Sequence, residues 1–100
     1  MDKIYVGQTW GTIERIMDQD ITGATVTKIK YIKPSGATGE WTAVVTNAAL
    51  GYITYSLSNE IATPTITESR VWKTWGYIGF ADGRHADGDL VNMKIYQPGE

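Results

Sequence analysis

The sequence predicts an all-β protein, an immunoglobulin-like antiparallel β-sandwich of about seven strands. Three observations carry that expectation. Apolar and polar residues alternate with period 2 in one segment after another. Turn residues, mainly Gly, Pro, Asn and Asp, separate those segments. Four Trp and six Tyr stand against a single Phe, and Thr is abundant; large aromatics and β-branched residues suit a pleated, half-buried surface. No segment shows the capped 3.6-residue periodicity of an amphipathic helix. No internal repeat or low-complexity tract is visible.

The elements follow in order. Ile4 and Val6 alternate with Lys3 and Tyr5 as an opening strand that Gly7 interrupts. In the segment 12–17, Ile13 and Ile16 fall out of strict phase, which predicts either an irregular, bulged strand or a short helical turn. Over 25–33 the pattern is clear: Thr27, Ile29 and Tyr31 point one way, while Val26, Lys28, Lys30 and Ile32 point the other. The run Pro34-Ser35-Gly36-Ala37-Thr38-Gly39 then makes a hairpin connection, because Pro pre-sets a turn and Gly accepts positive φ. Trp41, Ala43 and Val45 face inward on a return strand, with Thr42 and Val44 opposite. After a break at 47–51, Ile53, Tyr55 and Leu57 form the next inward set. The stretch 58–70 is polar, rich in Thr and carries Pro64; it reads as the long crossover of a Greek key, with room for a short edge strand around 65–67. The strongest strand is 72–80, with Trp72, Thr74, Gly76, Ile78 and Phe80 on one face and Lys73, Trp75, Tyr77 and Gly79 on the other. A polar loop from Asp82 to Asp89 leads to a last strand over 90–96, with Val91, Met93 and Ile95 inward. One core is expected to hold Trp41, Trp72, Ile29, Ile78 and Phe80 together.

One hundred residues suit a single domain, residues 1–100. Nine Lys and Arg against eleven Asp and Glu leave a net charge of −2, so the basic field of a nucleic-acid binder is not expected. Cysteine is absent, which excludes disulfides and thiolate metal ligands and fits folding in a reducing cytoplasm. No run approaches the roughly 18 apolar residues of a membrane helix, and the N-terminus lacks the pattern of a secretion signal.

Catalytic constellations are sparse. His85 is the sole histidine and sits in a Gly-flanked polar loop without a nucleophile-elbow motif. The carboxylates Glu14, Asp18, Asp20, Glu40, Glu60 and Glu68 show no pairing that chemistry requires, and the glycines form no phosphate loop. The sequence therefore predicts no enzyme, no catalytic residue and no cofactor. In the 82–89 loop, Asp82, Asp87 and Asp89 are weak candidates for calcium ligands; the spacing is not that of an EF-hand and Arg84 adds a positive charge, so a plain hairpin loop is expected. Period 2 sends Trp75 and Tyr77 to the outer face of the strongest strand. They are the candidate binding residues, either as a partner surface or as cover for a neighbouring loop.

The run Asp20-Ile21-Thr22-Gly23-Ala24-Thr25, continued through Lys28-Ile29-Lys30-Tyr31-Ile32-Lys33-Pro34-Ser35-Gly36, resembles the N-terminal immunoglobulin-like domain of tailed-bacteriophage baseplate upper proteins, and small neck, tail and head-fibre virion proteins. Trp41 matches the Trp of their return strand, 72–83 their Trp-led strand closing on Phe-x-Asp-Gly, and Ile95-Tyr96-Gln97-Pro98 their final strand. The resemblance spans about 4–98. It implies a virion structural protein, made in the host bacterial cytoplasm and present in symmetric copies on a ring or fibre. Its partners would be other virion proteins and copies of itself as a homo-oligomer, with no nucleic acid, no membrane and no catalysis. The alternative expectation is a carbohydrate-binding module that attaches a particle or enzyme to cell-surface glycan.

Overall fold

Nine strands form among residues 3–99, which the computed structural model describes. They are β1 (Ile4–Tyr5), β2 (Thr12–Ile16), β3 (Val26–Ile32), β4 (Thr38–Thr42), β5 (Val44–Asn47), β6 (Tyr52–Ser56), β7 (Arg70–Gly79), β8 (His85–Asp87) and β9 (Val91–Tyr96). A single 3-10 turn, Leu57–Glu60, follows β6. The larger sheet runs β1-β9-β7-β3-β4, with β8 also paired to β7; the smaller runs β2-β6-β5. Pairing is antiparallel except at one edge, where β1 lies parallel to β9, so the expectation of a wholly antiparallel sheet fails there.

The core lies between the two sheets. From the larger come Ile29, Tyr31, Trp41, Trp72, Ile78, Met93 and Ile95; from the smaller, Ile13, Ile53 and Tyr55, closed by Leu57. The rings interlock. Trp41 stacks on Tyr55 across the gap at 4.8 Å and on Trp72 at 5.9 Å, and Tyr31 meets both Trp rings at 4.5 and 5.2 Å. Each fully buried aliphatic side chain adds about 1.5–3 kcal/mol, and offset ring pairs add a further ~1 kcal/mol. Phe80 lies just past the end of β7, half-buried at the margin of this cluster, with the Arg84 guanidinium 4.6 Å above its ring.

Several segments depart from their period-2 reading. The return strand 41–45 is two strands in different sheets. At Ala43 the chain leaves the larger sheet for the smaller, held by the Ala43 N–H donating to the Thr27 carbonyl (3.0 Å) and the Thr27 hydroxyl donating to the Ala43 carbonyl (2.5 Å). Alternation restarts there, so Val45 is exposed along with Val44 rather than inward. The segment 12–17 is a strand, with Ile13 and Met17 buried and Ile16 outward. No strand forms at 65–67, although Ile66 is buried. The 82–89 loop contains β8, and Val91 lies at an open edge, 40% exposed.

Gly51 shows why the β5–β6 turn needs its residue. Its φ is +79°, and a Cβ there would collide with the Gln19 carbonyl. Its own carbonyl accepts from the Met17 N–H at 2.7 Å, tying the turn to the end of β2.

Candidate functional site

Strand β7 is central in the larger sheet, so its two faces see different worlds. Trp72, Thr74 and Ile78 are buried; Lys73, Trp75 and Tyr77 point outward. Register places Lys30 opposite Trp75, Lys28 opposite Tyr77, and Asp87 on the other side of Tyr77. Both rings are half-buried rather than bare. The Trp75 indole N–H donates to Asp87 Oδ1 at 3.1 Å. Tyr77 carries Lys30 Nζ 4.2 Å over its ring and the His85 ring at 5.9 Å. The two sequence-predicted binding residues thus sit side by side, and in part they cover β8.

The same outer face continues to Tyr96, over which Lys3 and Lys94 place their ammonium groups at 4.8 and 4.6 Å. Five of the chain's six lysines, Lys3, Lys28, Lys30, Lys73 and Lys94, therefore share this face with two carboxylates, Glu40 and Asp87. Five minus two leaves +3 on a chain whose net charge is −2. Among the described residues only Lys28 has a carboxylate within 4 Å, Glu40 at 3.4 Å. Ammonium groups resting on aromatic faces gain cation–π attraction. On Tyr77 and Tyr96 they also cover a face on which a sugar ring would stack. This face suits carboxylates better than pyranoses.

A second feature is the open seam between β2 and β9. A groove of about 1020 Å³ runs along it, with Trp10 at its mouth, 82% exposed. The loop carrying Trp10 is braced. Gln8 accepts from the Tyr5 N–H (3.0 Å) and donates to the Trp10 carbonyl (2.7 Å), and the Leu57 N–H donates to the Gly11 carbonyl (2.9 Å). Beside the groove a smaller hollow of about 420 Å³ is lined by Glu14, Asp18 and Asp89 with Ile16 and Val91. Arg15 is part of the same lining. Its Nε and Nη2 donate to Thr74 Oγ1 at 2.8 and 2.6 Å, and its Nη1 donates to the Glu14 carbonyl at 2.6 Å. Burial pushes the guanidinium pKa down, and no described carboxylate lies within 4 Å of it. Period 2 places Arg15 inward, on the Ile13 and Met17 side; Trp10 lies outside any alternation and carries no sequence signal of its own.

The third feature is a buried carboxylate. Glu60 accepts from the Tyr55 hydroxyl, from the Thr65 and Ile66 N–H groups at 2.7 and 2.8 Å, and from the Thr65 hydroxyl at 2.8 Å. Burial alone would raise its pKa; the four donors outweigh that and hold it below the usual range. Burial, reinforced by Glu60, pushes the Tyr55 hydroxyl pKa up. With Trp41 Nε1 donating to Thr65 Oγ1 at 2.7 Å, this network fastens the 58–70 connection to the core. Its acceptor sites are filled, so it is a structural clasp. Nothing in the spacing of Glu60 distinguishes it from the other carboxylates.

The acidic loop residues are separated by their partners. Asp82 accepts from the Arg84 backbone N–H (3.1 Å) and Nε (2.7 Å), the backbone bond first among the causes that lower its pKa. Asp87 serves Trp75, and Asp89 lies in the seam. Among the described residues no three His, Cys, Asp or Glu side chains are grouped so as to hold a metal ion, and His85 is exposed beside Tyr77. No protein family, curated protein or solved structure matches the chain.

Proposed function

We propose that this chain is a non-catalytic structural module of a tailed-phage virion, an immunoglobulin-like sandwich that works by docking to neighbouring virion proteins. One observation carries the reading: Trp75 and Tyr77 stand side by side on the outer face of the central strand, amid lysines that mostly lack carboxylate partners. Rings fixed on a rigid sheet make docking cheap in side-chain entropy, and lysines without partners suit an acidic protein surface. Two sheets over one aromatic core, with the chain passing between them at Ala43, support the sandwich class. The resemblance of 20–36, 72–83 and 95–98 to baseplate, neck and head-fibre proteins supports the virion setting.

The carbohydrate-binding alternative draws on a different residue. Trp10, braced and exposed at the mouth of a long groove, is the one ring whose face is open enough to stack on a sugar.

Substituting Trp75→Ser with Tyr77→Ser separates the two. The double variant is expected to keep cooperative unfolding and to weaken incorporation into particles tenfold or more, about 1.4 kcal/mol per decade. Normal incorporation, with glycan affinity lost on Trp10→Ala, would make the sugar reading the right one.

A further inference from the structure

We propose that the lysine-bearing face of one copy docks into the carboxylate-lined seam of a second copy, so that the chain self-associates head to tail. The proposal rests on reading the Trp75/Tyr77 face as an assembly surface, and it names the partner of that surface.

The argument is complementarity that a single copy cannot satisfy. The outer face of the larger sheet carries +3, with Lys30 and Lys73 flanking Trp75 across and along the strands. The seam hollow carries three carboxylates, Glu14, Asp18 and Asp89, against one guanidinium, Arg15, and none of the three lies within 4 Å of a described cation. Its apolar content matches the face too: Ile16 and Val91 line it at 52% and 40% exposure, beside Leu90 at 56%. These aliphatics suit the exposed edges of Trp75 and Tyr77, as the carboxylates suit the lysines. Within one copy the two surfaces do not pair: no lysine lies within 4 Å of Glu14, Asp18 or Asp89 among the described residues. They can meet between copies.

The contact pairs two different patches, and in the head-to-tail arrangement proposed here it is heterologous. Repetition makes a ring if the rotation closes and a filament if it does not. A two-fold dimer centred on the lysine face alone would oppose like charges.

The test uses neutralising substitutions. In low salt (about 20 mM, where screening reaches beyond 20 Å) the unmodified chain is expected to show a mass in sedimentation that rises with concentration. Association should weaken at least tenfold near 500 mM salt. Lys30→Gln with Lys73→Gln removes one half of the contact; Glu14→Gln with Asp89→Asn removes the other. Each double variant alone should remain monomeric with an unchanged melting temperature. An equal mixture should form dimers and stop there, because it holds a single intact pair of complementary surfaces.

An unmodified chain that stays monomeric at millimolar concentration in low salt overturns the proposal. So do variants that associate like the parent, a mixture that remains monomeric while the parent associates, or association indifferent to salt. A monomeric parent whose Trp75→Ser/Tyr77→Ser form still drops out of particles would sink self-docking alone and leave the assembly role standing.

Discussion

Glu60 is the residue whose role the fold most transforms. A carboxylate in a Thr-rich connection becomes a buried acceptor for four donors. Its folded pKa is depressed, so it contributes stability that is present above the unfolded value of about 4.3 and is lost as pH falls through the lower folded value. Glu60→Gln offers an amide NH₂ toward a backbone N–H and removes the charge that strengthens these bonds. A loss of about 1–3 kcal/mol is expected at neutral pH. Urea midpoints of the two proteins should converge as pH drops from about 7 toward 3. A gap of constant size across that range would mean the carboxylate is not held ionised by these donors. Arg15 makes the complementary point: its guanidinium satisfies Thr74, which is fully buried and donates onward to the Val91 carbonyl at 3.2 Å. A polar chain thus links β2 to β7 and β9 inside the apolar layer.

Among the elements, β8 bears most directly on the site. Asp-Gly punctuation made 82–89 a loop in the sequence, yet His85–Asp87 adds a short strand to β7 and covers part of Trp75 and Tyr77. Pairing commits Asp87 to the indole, while Asp82 is engaged by Arg84. Removing divalent cations with a chelator is therefore expected to leave the melting temperature unchanged, since only a ligand bound to the native state adds stability by mass action. A drop of several degrees that calcium restores would revive Asp82, Asp87 and Asp89 as a metal site. The β4–β5 crossing teaches a different lesson. Alternation through Trp41, Ala43 and Val45 is continuous in sequence, but Ala43 is small enough to pass between the sheets and its backbone bonds to Thr27 divert the chain. Period 2 has no way to mark a strand that changes sheets.

At the scale of the whole molecule, both sheets depend on one cluster of rings. Trp72 is fully buried, contacts Tyr31 and Trp41, and donates its indole N–H to the Glu68 carbonyl at 3.0 Å. A single cooperative unfolding transition is expected, seen alike by far-ultraviolet dichroism and Trp fluorescence. Trp72→Ala should cost about 3–5 kcal/mol and lower both signals together. Two separated transitions would show that the sheets do not share a core.

The sequence by itself determined the β class, the phase of β3, β6 and β7, and the burial of Trp41, Trp72, Ile29 and Ile78, because alternation along a strand is a local property. It also placed Trp75 and Tyr77 on one outward face. Tertiary structure alone decided that five lysines from three strands and the N-terminal segment converge there, since register between distant segments brings Lys30 beside Trp75 and Lys3 over Tyr96. It likewise decided that Glu60 is buried, that Trp10 is bare, and that Glu14, Asp18 and Asp89 share a hollow. Each of these depends on which segments meet across the fold, and a period of two carries no information about meetings tens of residues apart.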